Sequence, residues 1–407
     1  MTAPVIELDE PGQPFYAPAF RVALLGASPH NGGKPGSKKG GTPLDPRIVR
    51  DIIEVTFEDR IDAVDSFTLV LNNWDAGRLA TAYLGKDADA ALWQLIQPGN
   101  ELQLSMGYTG RQSDLRVMTT GYITALDAEY PETGAPRLTI RGLNVLDRLR
   151  GKQFTWGWPS GKDQGVTDSQ IAKSLEPPPD TASGRPGLGV AVRTDPQAAQ
   201  LEPVLPSMMM VNEYPIVFLM RRARARGYDV FLGRDAAGKP ELYFGPSRRI
   251  RDRTYRLVYG QSLVSAKAAI QTAKQLKSVT VLGWDRATKK QLKGECTIDD
   301  PALKDVPPQV REFARRNGRD EVISDFPVRT AELARKHAVE VLQAQRLEQI
   351  TVDGAVVGLP DLRAGRNVEL GGLGTVLNGR YFLTSTKHVL SDTGYRTTFS
   401  ARLEHTT

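Results

Sequence analysis

The sequence has few of the residues from which disulfide bridges and most protein metal sites are built. It contains one cysteine, Cys296, and four histidines among 407 residues. A single cysteine cannot form an intrachain disulfide, and no histidine lies near it in a metal-ligand pattern. We therefore expect no metal and no other cofactor, and we expect stability to come from packing or subunit contacts. The histidines are His30, His337, His388 and His405.

Long apolar runs are also missing. No stretch reaches the ~18 consecutive apolar residues that a membrane-spanning helix needs. The amino-terminal segment MTAPVIELDEPGQPFY is acidic and lacks the basic start and apolar stretch of a secretory signal. We therefore expect a chain that starts in the cytoplasm and has no membrane span.

Short catalytic motifs are absent as well. The sequence contains no G-x-S-x-G, no H-E-x-x-H and no complete phosphate-binding loop. The nearest candidate for such a loop, Gly32-Gly33-Lys34, is followed by proline, and Gly187-Leu-Gly189 is too short to be a dinucleotide fingerprint. These absences predict no enzyme and no catalytic, cofactor-binding or metal-ligating residue.

Isolated acidic and histidine residues do not change that prediction. Asp299-Asp300, and Asp361 near Glu369, are typical of turn residues and surface charges. His337 and His388 have no carboxylate or cysteine partner evident in the sequence, so we expect ordinary interface or surface histidines. A cell-wall-degrading enzyme stays the alternative from another class, although no segment supplies an autonomous catalytic domain of about 100 residues.

The charge balance is mildly basic, with a formal net charge of +6. Such an excess could mark nucleic-acid binding, since Lys and Arg neutralise phosphates. It is small for this length, however, and we assign most basic residues to solvated faces, so we do not expect specific nucleic-acid binding. A basic DNA-contacting protein is the other alternative. The clusters are Lys34, Lys38 and Lys39; Arg221, Arg222, Arg224 and Arg226; and Arg248, Arg249, Arg251 and Arg253.

The length exceeds that at which one hydrophobic core normally stops growing, so two or three domains are expected. Residues 1–150 are predicted to form a first β domain, with a mobile Gly- and Lys-rich loop at about 30–46. Residues 151–255 would form a helical or mixed insertion, with a Pro- and Gly-rich excursion at 177–206. Residues 256–345 would hold a strand block and helices, and residues 346–407 the β-hairpins that complete a second β domain.

Alternating apolar residues predict strands at Ile53–Phe57, Ser66–Leu71 and Glu101–Met106. Leu115–Leu126 and Leu138–Ile140 indicate a hairpin whose turn is PETGAP, residues 131–136.

Helical patterns are concentrated in the middle of the chain. Thr167 and Gln170 have the spacing of a capping box. A second helix is predicted over Asn212–Arg226, with Asn212 as N-cap, Gly227 as terminator and its arginines facing solvent. A third, Thr330–Arg346, has the apolar spacing of an ordinary surface helix.

Two distant stretches share one pattern. PGNELQLSMGY and GYITALDAEYPETGAPRLTIRGL are matched by AGRNVELGGLG and RYFLTSTKHVLSDTGYRTTFSARLE. Thr124 and Thr384 each precede a glycine, Gly134 and Gly394, by the same number of residues. Strand length and turn position together determine the register of strand pairing, so equal spacing favours two similar β domains. The alternative is that two unrelated hairpins align by chance. Three copies of such a chain would present six similar faces around a threefold axis.

The order of several blocks resembles the phage late control D family of tail hub proteins, which is related to the amino-terminal part of valine-glycine-repeat spike proteins. The similarity extends from about Phe57 to Leu403. The blocks are PGNELQLSMGY, TGYITALDAEYPETGAPRLTIRGLNVLDRL, PIVFLMRRARARGYDVFLGRDAAGKPELYFGPS, VTVLGWDRATKKQLKGE and RYFLTSTKHVLSDTGYRTTFSARLE.

The resemblance implies a mixed α+β, β-dominated fold. Two similar β-barrel-like hub domains with a helical or mixed insertion would assemble as a pseudo-sixfold trimeric ring. It also implies a homotrimer in the baseplate of a contractile tail or tail-like injection particle. Its partners would be the inner tube protein above, a separate spike or tip protein below and baseplate wedge proteins around it.

Overall fold

The computed structural model describes most of the chain. The described residues are 5–7, 17–27, 41–61, 63–84, 89–109, 115–144, 147, 150–159, 165–180, 182–234, 240–247, 254–271, 275–285, 288–303, 308–325, 328, 330–346 and 349–406. Most of the predicted loop at 30–46, with Lys34, Lys38 and Lys39, lies outside these residues. So does the basic cluster Arg248, Arg249, Arg251 and Arg253.

Strands dominate the described chain. They are β1 Val5–Glu7, β2 Ala17–Ala27, β3 Thr42–Pro43, β4 Ile52–Arg60, β5 Ser66–Asn72, β6 Trp74–Asp75, β7 Ala80–Thr81, β8 Asn100–Thr109, β9 Arg116–Glu129, β10 Arg137–Asn144, β11 Phe154–Trp158, β12 Ala191–Thr194, β13 Met208–Glu213, β14 Asp229–Arg234, β15 Pro240–Gly245, β16 Thr254–Val258, β17 Leu263–Ile270, β18 Leu276–Asp285, β19 Lys290–Thr297, β20 Arg319–Ile323, β21 Ile350–Val357, β22 Asn367–Gly371, β23 Gly379–Ser391 and β24 Gly394–Thr406. The helices are α1 Pro46–Asp51, α2 Ala90–Ile96, α3 Asp168–Ser174, α4 Pro196–Leu201, α5 Pro215–Arg226, α6 Pro308–Asn317 and α7 Ala331–Arg346. The predicted strands over 53–57, 66–71 and 101–106 and the hairpin with its turn at 131–136 are all present.

Two sets of five strands have the same order. In the first, which we call lobe 1, the order is β4-β5-β10-β9-β8. In the second, lobe 2, it is β17-β21-β24-β23-β22. Neighbouring strands within each set are antiparallel. The strand pairing therefore agrees with the predicted internal repeat, and it extends the repeat to two further strands in each lobe.

β-bulges occur at matching places in the two lobes. Thr124 is the extra residue of β9 opposite β10, and Thr384 is the extra residue of β23 opposite β24. Ile53 is the extra residue of β4 opposite β5, and Val264 is the extra residue of β17 opposite β21. A bulge bends its strand and is specific to its position, so these matches align the lobes residue by residue.

The lobes are not separate barrels. β4 of lobe 1 pairs directly with β23 of lobe 2, so both belong to one 14-stranded sheet that also includes β1, β2, β3 and β16. Among the described residues this sheet is open and does not close on itself. The expectation of two barrel-like domains is corrected to two lobes of a continuous sheet, because the lobes complete each other's strand pairing.

Each lobe nevertheless has its own core. In lobe 1, apolar residues of the sheet pack with α1 and α2 around Phe57, Phe67 and Leu104. In lobe 2, the sheet packs with β18, β19, α6 and α7 around Tyr381 and Val281. Alternation of buried and exposed residues along the strands places one face of the sheet on these cores and leaves the other open.

A third core holds the insertion together. Trp158 stacks on Phe218 with ring centroids 5.4 Å apart, and residues of α3, α5 and β15 surround them. The stretch 177–206 is not the excursion that its prolines predicted. It contains β12 and α4, and it contributes buried Leu188 and Val192 to this core. The prolines and glycines indicated a loop there, but packing of Leu188 and Val192 into the core orders the stretch.

The predicted helices are present, but one of them begins at a different residue. The capping box of Thr167 and Gln170 begins α3 as expected. Asn212, however, belongs to β13, and α5 begins after Tyr214 with Pro215 in its first turn. Gly227 ends α5 in the left-handed conformation, as predicted. No helix in the described part of the chain has the length and apolar character to cross a membrane.

Candidate assembly site

The seam between the lobes, where β4 lies against β23, carries a buried polar cluster centred on Asp59. Asp59 accepts hydrogen bonds from Arg363 Nε at 2.6 Å, from the backbone N–H of Ala364 at 3.2 Å and from the hydroxyl of Thr386. The guanidinium of Arg363 also lies over the ring of Phe57, 4.5 Å from its centroid. Because Asp59 belongs to lobe 1 and its donors to lobe 2, the carboxylate joins the two.

His388 is the second member of this cluster and is fully buried. Its Nε2 lies 3.0 Å from the carbonyl oxygen of Leu362, so this nitrogen carries the proton. Its Nδ1 lies 3.0 Å from the hydroxyls of Tyr395 and Thr397, which can donate to it. Burial lowers the pKa of His388 to about 4, and Arg363 adds to the effect against the opposing charge of Asp59. The ring is neutral at physiological pH.

Asp65 lies beside the same cluster. Burial raises its pKa to about 7, and the charge of Asp59 adds to this rise. Arg363 and a hydrogen bond from Asn144, whose Nδ2 is 3.0 Å from Asp65 Oδ2, act in the opposite direction. Two carboxyl groups and one guanidinium therefore share the seam, and the second carboxyl holds its proton more tightly than usual.

The insertion is joined to lobe 2 by a second buried network. Asp168 is fully buried at the start of α3. Arg222 binds both of its oxygens, Nε at 2.7 Å and Nη2 at 3.0 Å, and Arg226 Nε binds Oδ2. Arg226 then reaches Glu340 on α7 at 2.8 Å. The prediction that all the arginines of α5 face solvent is therefore wrong for Arg222 and Arg226.

A third joint links β14 of the insertion to β24. Arg402 donates to Asp229 at 2.6 Å and lies over the ring of Phe382, 4.8 Å from its centroid. Phe382 and Phe231 pack together next to this ion pair. We call the three contacts centred on Asp59, Asp168 and Asp229 joints. They hold the lobes and the insertion together through residues far apart in sequence.

Two concavities open beside the seam. One, of about 490 Å³, lies on the open face of β17, β21, β23, β24 and β4 and is lined by hydroxyl, lysine and arginine side chains. The other, of about 930 Å³, lies between α5, α7 and the sheet. They share Arg60, Asp353, Ser385 and Ser400. Hydrogen-bond donors, acceptors and charges of both signs line them, as at many contacts between protein chains.

The acidic residues considered in the sequence are each next to a cation. Asp299 binds Arg315 at 2.7 Å and Asp300 binds Arg335 at 3.0 Å. Asp361 lies 3.7 Å from Arg116, and Glu369 lies 3.8 Å from Arg256. Within the described ranges, no group of three or more His, Cys, Asp or Glu side chains could hold a metal ion.

The structure places two of the four histidines in the interior. His337 and His388 are both buried, not at the surface. His337 Nδ1 lies 3.5 Å from Glu340, and His388 belongs to the seam with Asp59. No local sequence pattern marks the seam contact, because Asp59 and His388, which both bind Thr386, are separated by most of the chain.

The comparisons with known proteins agree with this fold. A tail protein of prophage MuSo2 from Shewanella oneidensis is 17% identical, with a TM-score of 0.59 over 94% of this chain and 98% of that one. A tail protein from Neisseria meningitidis MC58 is 16% identical, with a TM-score of 0.60 over 96% of this chain and 97% of that one. No curated protein matches the sequence.

One sequence profile matches part of the chain. It describes the Alg8 N-terminal domain and covers residues 216–392, which is less than half of the 407 residues. The matched segment begins inside α5 and ends in the turn between β23 and β24. It therefore divides both the insertion and lobe 2, and does not coincide with a folding unit. The chain has the fold of the two phage tail proteins, as the resemblance to tail hub proteins predicted.

Proposed function

We propose that the chain is a structural component of the baseplate of a contractile phage tail or a tail-like injection system. In this proposal three copies form a hub that joins the hexameric inner tube to a trimeric spike. The protein would act as a template for the tube and transmit load to the spike, without catalysis.

The observation that carries the proposal is the matching strand order of lobes 1 and 2. A sixfold tube and a threefold spike differ in symmetry, and a joint between them needs six similar faces from three chains. A chain with two similar lobes supplies two such faces. The likeness of fold to two phage tail proteins over nearly their whole length supports the same role.

The joints support a load-bearing role. Asp59, Asp168 and Asp229 each tie separate parts of the chain through buried or nearly buried guanidinium contacts. A buried ion pair adds little net stability over apolar packing, but losing one partner costs several kcal/mol, so each pair favours one arrangement. The lobes would therefore keep their relative position when a tube or spike pulls on them.

The proposal includes the absence of enzymatic activity. The second concavity is lined by His337 as well as by Ser385 and Ser400, but its described lining and that of the first contain no serine or cysteine hydrogen-bonded to a histidine for nucleophilic catalysis. A tail-associated cell-wall hydrolase would need two free carboxyl groups or such a pair facing a cleft. The carboxyl groups that line the concavities are each bound to another side chain: Glu58 to Lys387, Asp229 to Arg402 and Asp353 to Ser400. Incubation of the purified protein with peptidoglycan tests this, and release of soluble fragments would contradict it.

Mass and symmetry test the hub itself. We expect light scattering to give the mass of three chains, and negative-stain averages to show a threefold ring with six lobes around a channel. The measurement should be made with the protein alone and with the tube and spike proteins encoded beside it. A monomer under all these conditions would exclude the adaptor role.

A further inference from the structure

Two strand edges of the large sheet lack a partner strand among the described residues. β17 pairs with β21 on one side only. β9 pairs with β8 up to Tyr122, and beyond Thr124 it pairs on one side only, with β10. Unpaired edges expose backbone N–H and C=O groups in a row, which is a template for pairing with another chain.

We infer that these edges pair with each other between neighbouring copies of the chain. β17 of one copy would lie antiparallel to residues 125–129 of β9 in the next, making the sheet continuous across the subunit boundary. This inference rests on the proposed hub and adds which strands close its ring.

The chain already contains the same joint within itself. β17 of lobe 2 corresponds to β4 of lobe 1, and β9 corresponds to β23, as their bulges align them. β22 pairs with the first part of β23, and β4 pairs with the part of β23 beyond Thr384. β8 likewise pairs with the first part of β9. The part beyond Thr124 is therefore the counterpart of the segment that binds β4.

The register of the new pair follows from the internal one. In the seam, Phe57 lies opposite His388, Thr56 opposite Val389 and Asp59 opposite Thr386. Transferred through the bulge alignment, these pairs place Ala268 opposite Ala128, Lys267 opposite Glu129 and Ile270 opposite Leu126.

The residues on the core-side face of this pairing are apolar. Ala266, Ala268 and Ile270 alternate along β17, and Leu126, Ala128 and Tyr130 alternate along β9 and the residue after it. Ile270 is 42% exposed and Tyr130 is 56% exposed in the single chain. The seam buries its corresponding residues, such as Phe57 and Leu390. Pairing between copies would cover the exposed apolar stripe in the same way.

The opposite face is polar and complementary in charge. Lys267 and Glu129 are both exposed and would face each other across the two strands. In the seam, the same open face carries the pair Lys387–Glu58, with Nζ 2.8 Å from Oε1. Opposite charges directly across from each other stabilise a strand pair, while like charges destabilise it. Register, burial and charge thus all favour a second copy of this chain as the partner.

A cysteine cross-link tests the register. Residues directly opposite in an antiparallel pair have Cα atoms about 4.5–5.5 Å apart, within reach of a disulfide. We expect a Lys267→Cys, Glu129→Cys double variant of the full chain to form, on mild oxidation, a covalent ladder that ends at three chains. Each single variant should stay uncross-linked. The natural Cys296 is buried, and burial raises the pKa of its thiol to about 12, so it should not interfere.

The matched control pairs Glu129→Cys with Thr398→Cys. Thr398 is exposed on the same open face of the sheet, but it lies on β24, two strands from the edge of β17. This control should give no ladder. A trimer by light scattering that forms no Lys267–Glu129 cross-link overturns the inference and leaves the hub intact. A protein that stays monomeric with its tube and spike partners overturns both.

Charge exchange gives a second readout that does not depend on cysteine chemistry. Lys267→Glu and Glu129→Lys should each raise the concentration needed for half-assembly about three- to tenfold, because like charges then face each other. The double exchange should restore wild-type assembly, while thermal unfolding of the separated chains stays unchanged. Equal losses in the single and double variants would contradict the pairing of these two residues.

Discussion

Thr124 and Thr384 make the same hydrogen bond in the two lobes. Each is the extra residue of a bulge, and each hydroxyl donates to a carbonyl oxygen of the neighbouring strand. The acceptors are Arg141 O at 3.3 Å and Ser400 O at 3.1 Å. A bulge leaves ladder groups unpaired, and a threonine hydroxyl satisfies one of them. The repeat thus preserves a hydrogen bond as well as a strand order.

We predict that Thr124→Val and Thr384→Val each lower the free energy of unfolding by about 0.5–1.5 kcal/mol, because each leaves a carbonyl with one bond fewer. Urea denaturation measures the loss. The loss at Thr384 should be the larger, since Thr384 is less exposed than Thr124. Thr398→Val, at an exposed position of β24, is the control and should change stability by less than about 0.5 kcal/mol. Unchanged stability in both bulge variants would show that these hydroxyls do not support the bulges.

These threonines also explain why the repeat could be found in the sequence. Thr124 and Thr384 are identical, and each precedes its turn glycine by the same interval, so the hairpins align without a structure. The second pair of bulges, at Ile53 and Val264, was not predictable. The two residues differ, and the strands that hold them have no shared turn residue close by. The joining of the lobes into one sheet depends on the first of those strands, β4.

The buried polar groups could not be predicted for a different reason. Arg222 and Arg226 lie one helical turn apart, which in a sequence resembles a solvated face. Their partner Asp168 lies in α3, far back in the chain. The pairing of Asp59 with Thr386 spans nearly the whole sequence. Long-range partners of single charged residues leave no local pattern, whereas strand alternation and capping boxes do.

Asp168 should be among the residues most sensitive to substitution. Its replacement by asparagine keeps the shape but removes the counter-charge of buried Arg222 and leaves buried Arg226 with Glu340 alone. We predict a loss of about 3–5 kcal/mol in the free energy of unfolding, which is the usual cost of breaking a buried ion pair from one side. Chemical denaturation measures it. Glu312→Gln, which breaks an exposed pair with Arg316, should cost less than about 1 kcal/mol. Comparable losses in the two variants would contradict this account of the network.

His388 should make the protein less stable in mild acid. Its folded pKa of about 4 lies below its ordinary value of 6.5, so the unfolded chain takes up a proton first as the pH falls. The stability that neutral His388 provides is present above about pH 6.5 and is lost as the pH falls toward 4. The loss should be about 3 kcal/mol between pH 7 and pH 4.

The test compares wild type with His388→Gln, because other groups titrate equally in both proteins. Glutamine can still donate to Leu362 O but cannot take up a proton in this range. The wild type should lose about 3 kcal/mol more than the variant between pH 7 and pH 4, measured by urea denaturation at constant ionic strength. Parallel pH profiles for the two proteins would mean that His388 is protonated in the folded chain without cost.

Asp65 should have the opposite pH dependence. Its pKa is raised from 3.8 to about 7 in the folded chain, mainly by burial and then by the charge of Asp59. The stabilisation from the protonated carboxyl is therefore present below about pH 4 and is lost as the pH rises through 7.

Asp65→Asn keeps an oxygen that can accept from Asn144 but carries no charge. Relative to wild type, the variant should gain roughly 3–4 kcal/mol between pH 4 and pH 9. Asp127→Asn, at an exposed ion pair with Arg141 on the same sheet, is the control and should show a nearly flat difference. If the Asp65→Asn difference is equally flat, Asp65 is ionised in the folded protein without penalty, and the seam holds both carboxylates in their charged form.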